Sequence, residues 1–362
     1  MQFITLTKFT LIPSLIAASF IAGKETKIEM SKSNENKDQM APGYNASYRI
    51  NVQRPSDFFI TGSFTYWQPI QENMELGVVS NTSHPLDLVH GKQVNLDFDY
   101  KPGFKVGIGM NFDYDKWDTF IEYTWFRGTE HVHKNINPNN LKVALLPAWQ
   151  IPDFLDPKYN LGSEKWKLSM DLIDWDLARG YNVGTQLYFR PFIGVRAALI
   201  DQSVHVKYIN ENPTQFFIWP STFITQKSDS WGIGPRIGLS SNWKLSKEWR
   251  IFGNAEFDIL FTQYDLKNIQ SSAVSVANRY IVHQDDANYL RAHSELKLGF
   301  GWGTYLSSNK YHLDLSADYG FQVFFDQNMF RSTASAQAVG KSTLPNGNLY
   351  MQGLTASARF DF

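Results

Sequence analysis

The chain has 362 residues, and its 34 Lys and Arg residues nearly balance its 35 Asp and Glu residues, which gives a formal net charge of -1. This balance excludes the strongly basic surface of a nucleic-acid-binding protein, and the absence of cysteine excludes thiolate metal sites, thiol catalysis and disulfides. A mean hydropathy of -0.33 is too polar for a bundle of membrane helices, yet aromatic residues reach 15% of the chain, which is high for a soluble domain.

The N-terminal segment has the features of an export signal. Lys8 and the amino terminus supply positive charge, and the apolar run at 9–23 is too short for a typical spanning helix and has small residues near its end. We predict a signal peptide at 1–22, with Ala17-Ala18-Ser19 as a fitting cleavage site; a cut nearer Gly23 and a buried N-terminal helix are the alternatives. Residues 23–55 are predicted to form a polar periplasmic leader, because 24–40 is charged and lacks aromatic residues.

From Phe58 onward, apolar and polar residues alternate in repeated segments. In 103–112, for example, Phe104, Val106 and Ile108 fall on one face, and the alternating segment 117–126 follows after a short, turn-like link, which predicts a β-hairpin. The same alternation recurs at 58–67, 165–172, 193–199, 231–240, 250–261, 290–302, 311–321 and 349–362.

These segments predict an all-β fold: a transmembrane, antiparallel, up-and-down β-barrel at residues 56–362. Short links at 113–116, 242–248 and 305–310 alternate with long links at 127–164, 202–229, 263–288 and 326–347, as in bacterial barrels with long extracellular loops. Two doubtful strands, near 74–80 and 93–100, are both present or both absent, because both chain ends should be periplasmic. We predict about 12 strands, with 10 or 14 as alternatives.

The polar faces of the predicted strands carry charged residues of both signs, which we expect to line the lumen. Opposed rows of charge would create a transverse field that favours polar solutes, whereas cross-strand pairing would simply hold the wall rigid. The near-balance of sign leaves anion or cation preference open. The predicted pore-lining residues are Lys105, Glu122, Lys167, Asp171, Arg196, Arg236, Arg250, Glu256, Asp258, Arg291, Glu295, Lys297, Asp314 and Asp318.

An apolar stretch at 141–149, with prolines in and after it, is unusual for an exposed loop. Leu141, Leu145 and Trp149 are therefore candidates for a loop that folds back and constricts the pore, or that meets another subunit. On the lipid side, aromatic residues are expected to form interfacial girdles, among them Trp117, Trp125, Trp166, Trp231, Trp249, Trp302, Tyr311 and Phe360.

Two histidine patterns were weighed for chemistry. His131 and His133 have a zinc-compatible spacing but lack an evident third ligand, so a solvated loop is the better interpretation. His312 is followed on the same face by Asp314, Ser316 and Asp318, with His293 and Glu295 nearby, which could support general-base chemistry. Since any wide barrel needs polar groups inside, we predict no catalytic residue, no metal and no cofactor.

Several strand motifs resemble a known family. They are Pro102-Gly-Phe-Lys-Val-Gly-Ile-Gly-Met110, Trp117-Asp-Thr-Phe-Ile-Glu-Tyr-Thr-Trp-Phe126, Phe64-Thr-Tyr-Trp67, Leu168-Ser-Met-Asp-Leu172 and Arg190-Pro-Phe-Ile-Gly-Val-Arg196. Together they resemble the Legionella-type major outer membrane protein family and the MOMP-like porins of chlamydia-related bacteria, over most of 58–362. The resemblance implies a pore-forming protein and admits a homotrimer. The chain departs from the chlamydial proteins in lacking cysteine, so it implies no disulfide-linked role in the envelope.

The function expected from these observations is that of a porin in the bacterial outer membrane, which passes small hydrophilic solutes and ions by passive diffusion. The alternatives are a barrel enzyme of protease or lipase type, and a surface adhesin. The expected partners are outer-membrane lipid, the transported solutes and the barrel-assembly machinery, with no nucleic acid. The resemblance implies that this machinery reads the C-terminal aromatic strand, so Phe360 and Phe362 are the predicted assembly signal.

Overall fold

The computed structural model describes residues 50, 52, 57–81, 90–112, 117–138, 143–149, 159–211, 221–272, 280–330, 332–333, 342–343 and 347–362. The predicted signal peptide, and all of the predicted leader apart from residues 50 and 52, lie outside these ranges. In the described part of the chain there is no helix that is long and apolar enough to cross a membrane.

Ten antiparallel strands, counted over the described residues, close into one barrel, which confirms the predicted fold class. Each strand pairs with the next one along the chain, and the last strand pairs with the first, so the barrel sheet has no free edge. The barrel strands are β1 (Phe58–Gln71), β4 (Lys101–Asn111), β5 (Trp117–Asn135), β7 (Leu161–Arg179), β9 (Leu187–Ile209), β10 (Ser221–Lys244), β11 (Trp249–Ser272), β12 (Tyr280–Leu306), β13 (Tyr311–Phe324) and β16 (Leu349–Asp361).

The barrel count is ten rather than the preferred twelve. The two doubtful segments do form strands, β2 (Glu75–Ser80) and β3 (Gly91–Asn95), but they pair outside the barrel with β6 (Ala144–Pro147). We call this three-stranded unit, in the order β3-β2-β6, the mouth sheet. The remaining short strands are β8 (Tyr181–Val183), which pairs with β9, and the two-residue pair β14 (Ser332–Thr333) and β15 (Ser342–Thr343).

The barrel strands are longer than the sequence predicted. Residues 127–135, 202–209, 221–229, 263–272 and 280–288 were assigned to loops, yet they continue the paired strands. The links at one end are short, as at 245–248 and 307–310, and those at the other end are longer and contain the mouth sheet. We refer to the two ends as the short-turn end and the long-loop end. By the rule for bacterial barrels, the short-turn end is periplasmic.

An apolar belt surrounds the half of the barrel nearer the short-turn end. Its side chains alternate outward with inward polar residues, and they are exposed because no lipid covers them in an isolated chain. The belt includes Ile60, Phe64, Phe104, Val106, Ile108, Trp175, Ile193, Val195, Ile233, Ile237, Phe257, Ile259, Leu296, Leu298, Phe300, Leu315 and Leu354.

The barrel interior changes character along its height. Towards the long-loop end it is filled by a buried apolar cluster that joins the wall to the mouth sheet, through residues such as Trp67, Trp166, Met170, Leu76 and Leu145. At the level of the belt the interior is polar and charged. A polar interior inside an apolar belt is the arrangement expected of a membrane barrel.

Candidate functional site

The predicted pore-lining residues divide between the two faces of the barrel wall. Twelve of them, counted over the described strands, lie on the interior face: Lys105, Glu122, Arg196, Arg236, Arg250, Glu256, Asp258, Arg291, Glu295, Lys297, Asp314 and Asp318. The other two, Lys167 and Asp171, lie on the outer face of β7, contrary to the sequence-based assignment.

The error on β7 has a clear physical cause. Trp166 is predicted to face lipid because it is apolar, but it is buried inside the barrel together with Leu168, Met170 and Leu172, so it is not part of an outer girdle. This part of β7 lies above the belt, where the outer face meets water and the inside is the apolar cluster. The usual barrel pattern of apolar outside and polar inside is reversed there, although the alternation of side chains is uninterrupted.

Two interior carboxylates were missed for the same reason. Asp174 and Asp176 follow on the inward face of β7 and are 3% and 5% exposed. The signal that could have identified them is the continued alternation of Ile173, Trp175 and Leu177, which are the outward residues of the belt segment. From the sequence, this strand is predicted to end at Leu172, before the point at which the apolar residues move from the inner to the outer face.

A buried ionic network crosses the lumen at the level of the belt, and we call it the mid-lumen network. Arg196 on β9 donates to both carboxylate oxygens of Asp174, at 2.6 and 2.8 Å, and its third nitrogen donates to Asp258 Oδ2 on β11 at 2.9 Å. The same Arg196 nitrogen lies 2.7 Å from His293 Nδ1 on β12. The Arg196 guanidinium on β9 thus contacts side chains of β7, β11 and β12, and so links four strands of the wall.

Arg236 and Lys297 extend this network around the lumen. Arg236 Nη1 lies 2.6 and 2.7 Å from the two oxygens of Asp176, and its other terminal nitrogen pairs with Glu256. Lys297 lies 2.9 Å from Glu295 and 3.7 Å from Glu256. Among the described residues, the network therefore holds three cations, Arg196, Arg236 and Lys297, and five carboxylates, Asp174, Asp176, Glu256, Asp258 and Glu295.

Outside the mid-lumen network, other interior charges form separate pairs. Lys105 pairs with Glu122 at 3.2 Å, Arg190 pairs with Asp118, and Arg250 pairs with Asp314. Inward glycines make room for these side chains. A Cβ atom at Gly301 would meet the Arg250 guanidinium, and one at Gly109 would meet the Phe59 ring. Large side chains therefore lie along the wall.

The mouth sheet packs against the inside of the wall at the long-loop end. Leu145 and Tyr159 exchange backbone hydrogen bonds of 2.7 and 3.1 Å, and Tyr208 of β9 donates to the Leu76 carbonyl at 2.5 Å. Leu145 is fully buried, and Trp149 is 7% exposed with its ring edge against Phe330. Of the candidate constriction residues, Leu145 and Trp149 are thus buried at this end of the barrel, and Leu141 lies outside the described residues.

Glu164 is buried beneath the mouth sheet, above the belt-facing part of β7, and is 1% exposed. Neither of its carboxylate oxygens has a hydrogen bond of good geometry within the described ranges. Burial raises the pKa of Glu164 to about 8; the charge of Glu75 adds to the rise, and the nearby Trp149 indole opposes it. A carboxyl with such a pKa is mostly protonated at neutral pH.

The histidines considered for chemistry lie in different environments. His131 and His133 are exposed on the outer face of β5, in a strand rather than the predicted loop. His293 is 0% exposed inside the mid-lumen network, 2.8 Å from Asp258. His312 pairs with Asp361 at 3.2 Å, while Asp314 is held by Arg250. His293 is therefore closed off from solvent, and two of the acidic residues near His312, Asp314 and Asp361, are already paired.

The predicted assembly signal lies at the rim of the short-turn end. Phe360 is on the outer face of β16, stacked between Tyr311 at 5.5 Å and Phe362 at 6.1 Å. The Phe362 backbone exchanges hydrogen bonds with Phe58 of the first strand. The terminal aromatic residue therefore closes the seam of the barrel.

Three solved outer-membrane barrels illustrate the structural likeness. The outer membrane protease OmpT from Escherichia coli is 9% identical with a TM-score of 0.41, covering 88% of this chain and 99% of that one. The Pseudomonas putida toluene transporter TodX and a Pseudomonas aeruginosa FadL homologue are each 8% identical, with TM-scores of 0.29 and 0.28, and each match covers 85% of this chain and 90% of the other. Likenesses this distant say nothing about activity. A search of curated proteins finds no significant match.

The sequence itself gives a more specific result. A family model described as the Legionella pneumophila major outer membrane protein precursor matches residues 53–362, which include the whole barrel. The match confirms the resemblance found in the strand motifs. With the closed barrel and its apolar belt, it places the protein in the bacterial outer membrane. The chain belongs to the Legionella major outer membrane protein family.

Proposed function

We propose that this outer-membrane barrel is a narrow porin-type channel for small hydrophilic solutes and ions, with a preference for cations, and that the mouth sheet closes it in the conformation described. The observation that carries the proposal is the mid-lumen network. Its five carboxylates outnumber its three cations by two within the described residues. His293 adds a compensating charge only when it is protonated.

The cost of burying charge supports a functional role for this network. Burying an ion pair costs several kcal/mol per ion before the partners compensate, and an apolar filling of similar volume is often as stable. The barrel has such an apolar filling nearer the long-loop end. Holding Arg196 and Arg236 at the level of the belt is therefore not required for packing alone. An excess of buried carboxylates attracts cations and repels anions.

The construction of the closure supports the channel proposal as well. The mouth sheet is a small unit of three short strands, separate from the barrel sheet, and it is attached to the wall through side-chain contacts and a few backbone hydrogen bonds. Displacing it would leave every ladder of the barrel intact. We propose that Leu145 and Trp149 act in this closure, as the predicted constriction segment, and that opening exposes the mid-lumen network to both sides.

The enzyme alternative has less support from the geometry. Its candidate base His293 is inaccessible, and Asp314 is committed to Arg250. Within the described residues, no group of three or more His, Asp or Glu side chains is arranged to hold a metal ion. We therefore propose a channel without catalytic residues.

Two partner proposals belong with this function. We propose that Phe360 and Phe362 are read by the barrel-assembly machinery, because they form the outward-facing C-terminal end of the last strand. A homotrimer is proposed from the family resemblance alone. Cross-linking of the protein in intact cells would test it, and a purely monomeric pattern would contradict it.

Conductance in planar bilayers tests the channel proposal. Refolded full-length protein should give discrete current steps in potassium chloride. A variant with 143–149 replaced by a Gly/Ser segment of equal length should be open for a larger fraction of time, since it lacks β6 and Trp149. If both proteins insert but remain silent, the channel proposal is wrong. Hydrolysis of lipid or peptide substrates that is lost in His312→Ala would favour an enzyme instead.

A further inference from the structure

A group of basic side chains covers one sector of the outer wall, beyond the apolar belt towards the long-loop end. We call this group the basic strip. The register places Lys227 of β10 directly opposite Lys267 of β11, and places Lys165 of β7 opposite His205 of β9. All are on the outer face, and each of these four side chains is exposed. The strip consists of Lys165, Lys167, His205, Lys207, Lys227 and Lys267.

The strip lies at a defined height on the barrel. Trp231 and Leu199, paired across β10 and β9, mark the edge of the belt. Two residues further along each strand comes a row of carboxylates: Asp229 is paired with both Asp201 and Asp265. The lysine row at Lys227 and Lys267 lies two residues beyond that, about 7 Å further along the strand and, at the usual tilt of barrel strands, about 5 Å further from the acyl region. Phosphate-containing headgroups lie at such a height above a membrane core.

The lysines of the strip are not held in close ion pairs within the described protein, and the Lys227 charge acts on Asp229 only at longer range. None of the five forms a salt bridge with another described residue within 4 Å. Like charges directly opposite each other on neighbouring strands are destabilising, so a bound anion would stabilise the Lys227–Lys267 pair. Partial burial lowers the pKa of His205, and the positive charges of Lys167, Lys227 and Lys165 lower it further.

The surface is also shaped to receive a ligand. Lys165, His205 and Lys207 line a shallow concavity together with His131, His133 and Phe223. The Lys207 ammonium lies 5.6 Å from the centre of the Phe223 ring, so a cation and an apolar surface are adjacent. A phosphate beside an acyl chain or sugar ring would meet complementary groups at both positions.

We propose that the basic strip binds the phosphate groups of an anionic glycolipid in the outer leaflet of the outer membrane. The height above the belt favours a lipid over a soluble anion, and lysines without a close ion pair to a described residue attract its phosphate groups. The carboxylate row below holds the phosphate away from the belt edge. This binding is independent of whether the barrel conducts.

Binding of a bis-phosphorylated lipid A to the refolded full-length protein in detergent tests the proposal. The variant Lys167→Gln/Lys227→Gln/Lys267→Gln should bind roughly a hundredfold more weakly, at about fivefold per lysine near a charged surface. The matched control is Lys247→Gln/Lys310→Gln, which removes lysines from the short turns at the other end and should leave the affinity unchanged. A Lys→Arg triple variant should bind like the wild type.

The outcomes separate the sources of phosphate. Dephosphorylated lipid A should bind weakly, and binding of the phosphorylated form should fall as ionic strength rises. Unchanged affinity in the glutamine triple variant, or equal binding of the dephosphorylated lipid, would overturn the proposal. Full displacement by inorganic phosphate at the lipid's own concentration would assign the strip to a soluble anion. The measurements on wild-type protein remain decisive if the triple variant does not refold, as judged by circular dichroism.

Discussion

Arg196 illustrates why single residues in the mid-lumen network matter for folding. It is 1% exposed and is paired with Asp174 and Asp258 from two other strands. Removing one partner of a buried ion pair leaves the others charged and unsatisfied, which typically costs about 3–5 kcal/mol. We expect Arg196→Ala to lower the free energy of unfolding by this amount in urea titrations of the folded barrel.

The matched control for this prediction is Lys167→Ala. Lys167 is exposed on the outer face of the neighbouring strand β7 and forms no salt bridge with another described residue. Surface substitutions of this kind usually change stability by less than about 0.5 kcal/mol. Equal effects of the two substitutions would show that the network does not hold the wall together.

Because carboxylates exceed cations in the mid-lumen network, two substitutions by uncharged residues should have opposite effects on ion selectivity. Asp258→Asn removes one of the carboxylates and should lower the cation-to-anion permeability ratio, whereas Arg236→Gln removes a cation and should raise it. Reversal potentials under a salt gradient measure both. Identical ratios in the two variants and the wild type would remove these residues from the conduction path.

Glu164 predicts that closure of the mouth depends on pH. Its pKa is raised to about 8 in the closed mouth, while a solvated carboxyl titrates near 4.5. Between about pH 4.5 and 8, Glu164 binds a proton in the closed state but not in the open state. The closed state is therefore favoured most at low pH. The equilibrium constant for closure falls as pH rises, by up to about tenfold per pH unit. The open fraction should therefore increase between about pH 5 and 8.

Glu164→Gln provides the control, because glutamine keeps the shape of the side chain without a titrating group. Single-channel recordings of this variant should show an open fraction that is independent of pH over the same range. A wild-type open fraction that is flat, or that falls with rising pH, would exclude Glu164 as the pH-sensitive group of the closure.

At the scale of elements, β7 shows how one continuous strand serves two environments. Its even-numbered side chains face the interior over its whole length. They are apolar above the belt, at Leu168 and Met170, and acidic within it, at Asp174 and Asp176. The apolar residues therefore move from the inner to the outer face along β7, while the alternation of side chains continues. The cause is that the surroundings of the outer face change from water to lipid.

The mouth sheet can be tested as a movable element by an engineered disulfide. Leu145 and Tyr159 form a hydrogen-bonded antiparallel bridge, whose usual Cα separation of about 5.5 Å suits a disulfide. The chain has no cysteine, so Leu145→Cys/Tyr159→Cys would contain one pair. We expect oxidation to suppress the current and reduction to restore it. Each single variant should be insensitive to redox, and a fully conducting oxidised form would contradict this gate.

For the whole molecule, the alternating strands and the asymmetry of the links were sufficient to predict the barrel and its membrane. The family motifs on β1, β4 and β5 pointed to the same conclusion. The number of barrel strands was harder to predict. Residues 74–80 and 93–100 do contain strands, but these strands pair with each other and with β6 outside the barrel. Alternation alone does not distinguish a barrel strand from one that pairs in the mouth.

The lumen was predicted less completely than the fold. Inward charges on β10 to β13 followed directly from alternation, whereas Asp174, Asp176 and Glu164 needed the height of the belt to be known. The cation preference depended on these missed carboxylates, because the set read from the sequence was nearly balanced. Contacts such as Arg196 with Asp258 join residues far apart in sequence, and only the closed barrel brings them together.

The central claim is that the barrel is a cation-preferring channel closed by its mouth sheet. The reversal potential of refolded full-length protein in a planar bilayer, under a tenfold potassium chloride gradient at pH 8, tests it most directly. Current steps whose reversal potential has the sign of cation preference are expected, since carboxylates exceed cations in the mid-lumen network. An anion-selective reversal potential, or inserted protein that carries no current, would contradict the claim.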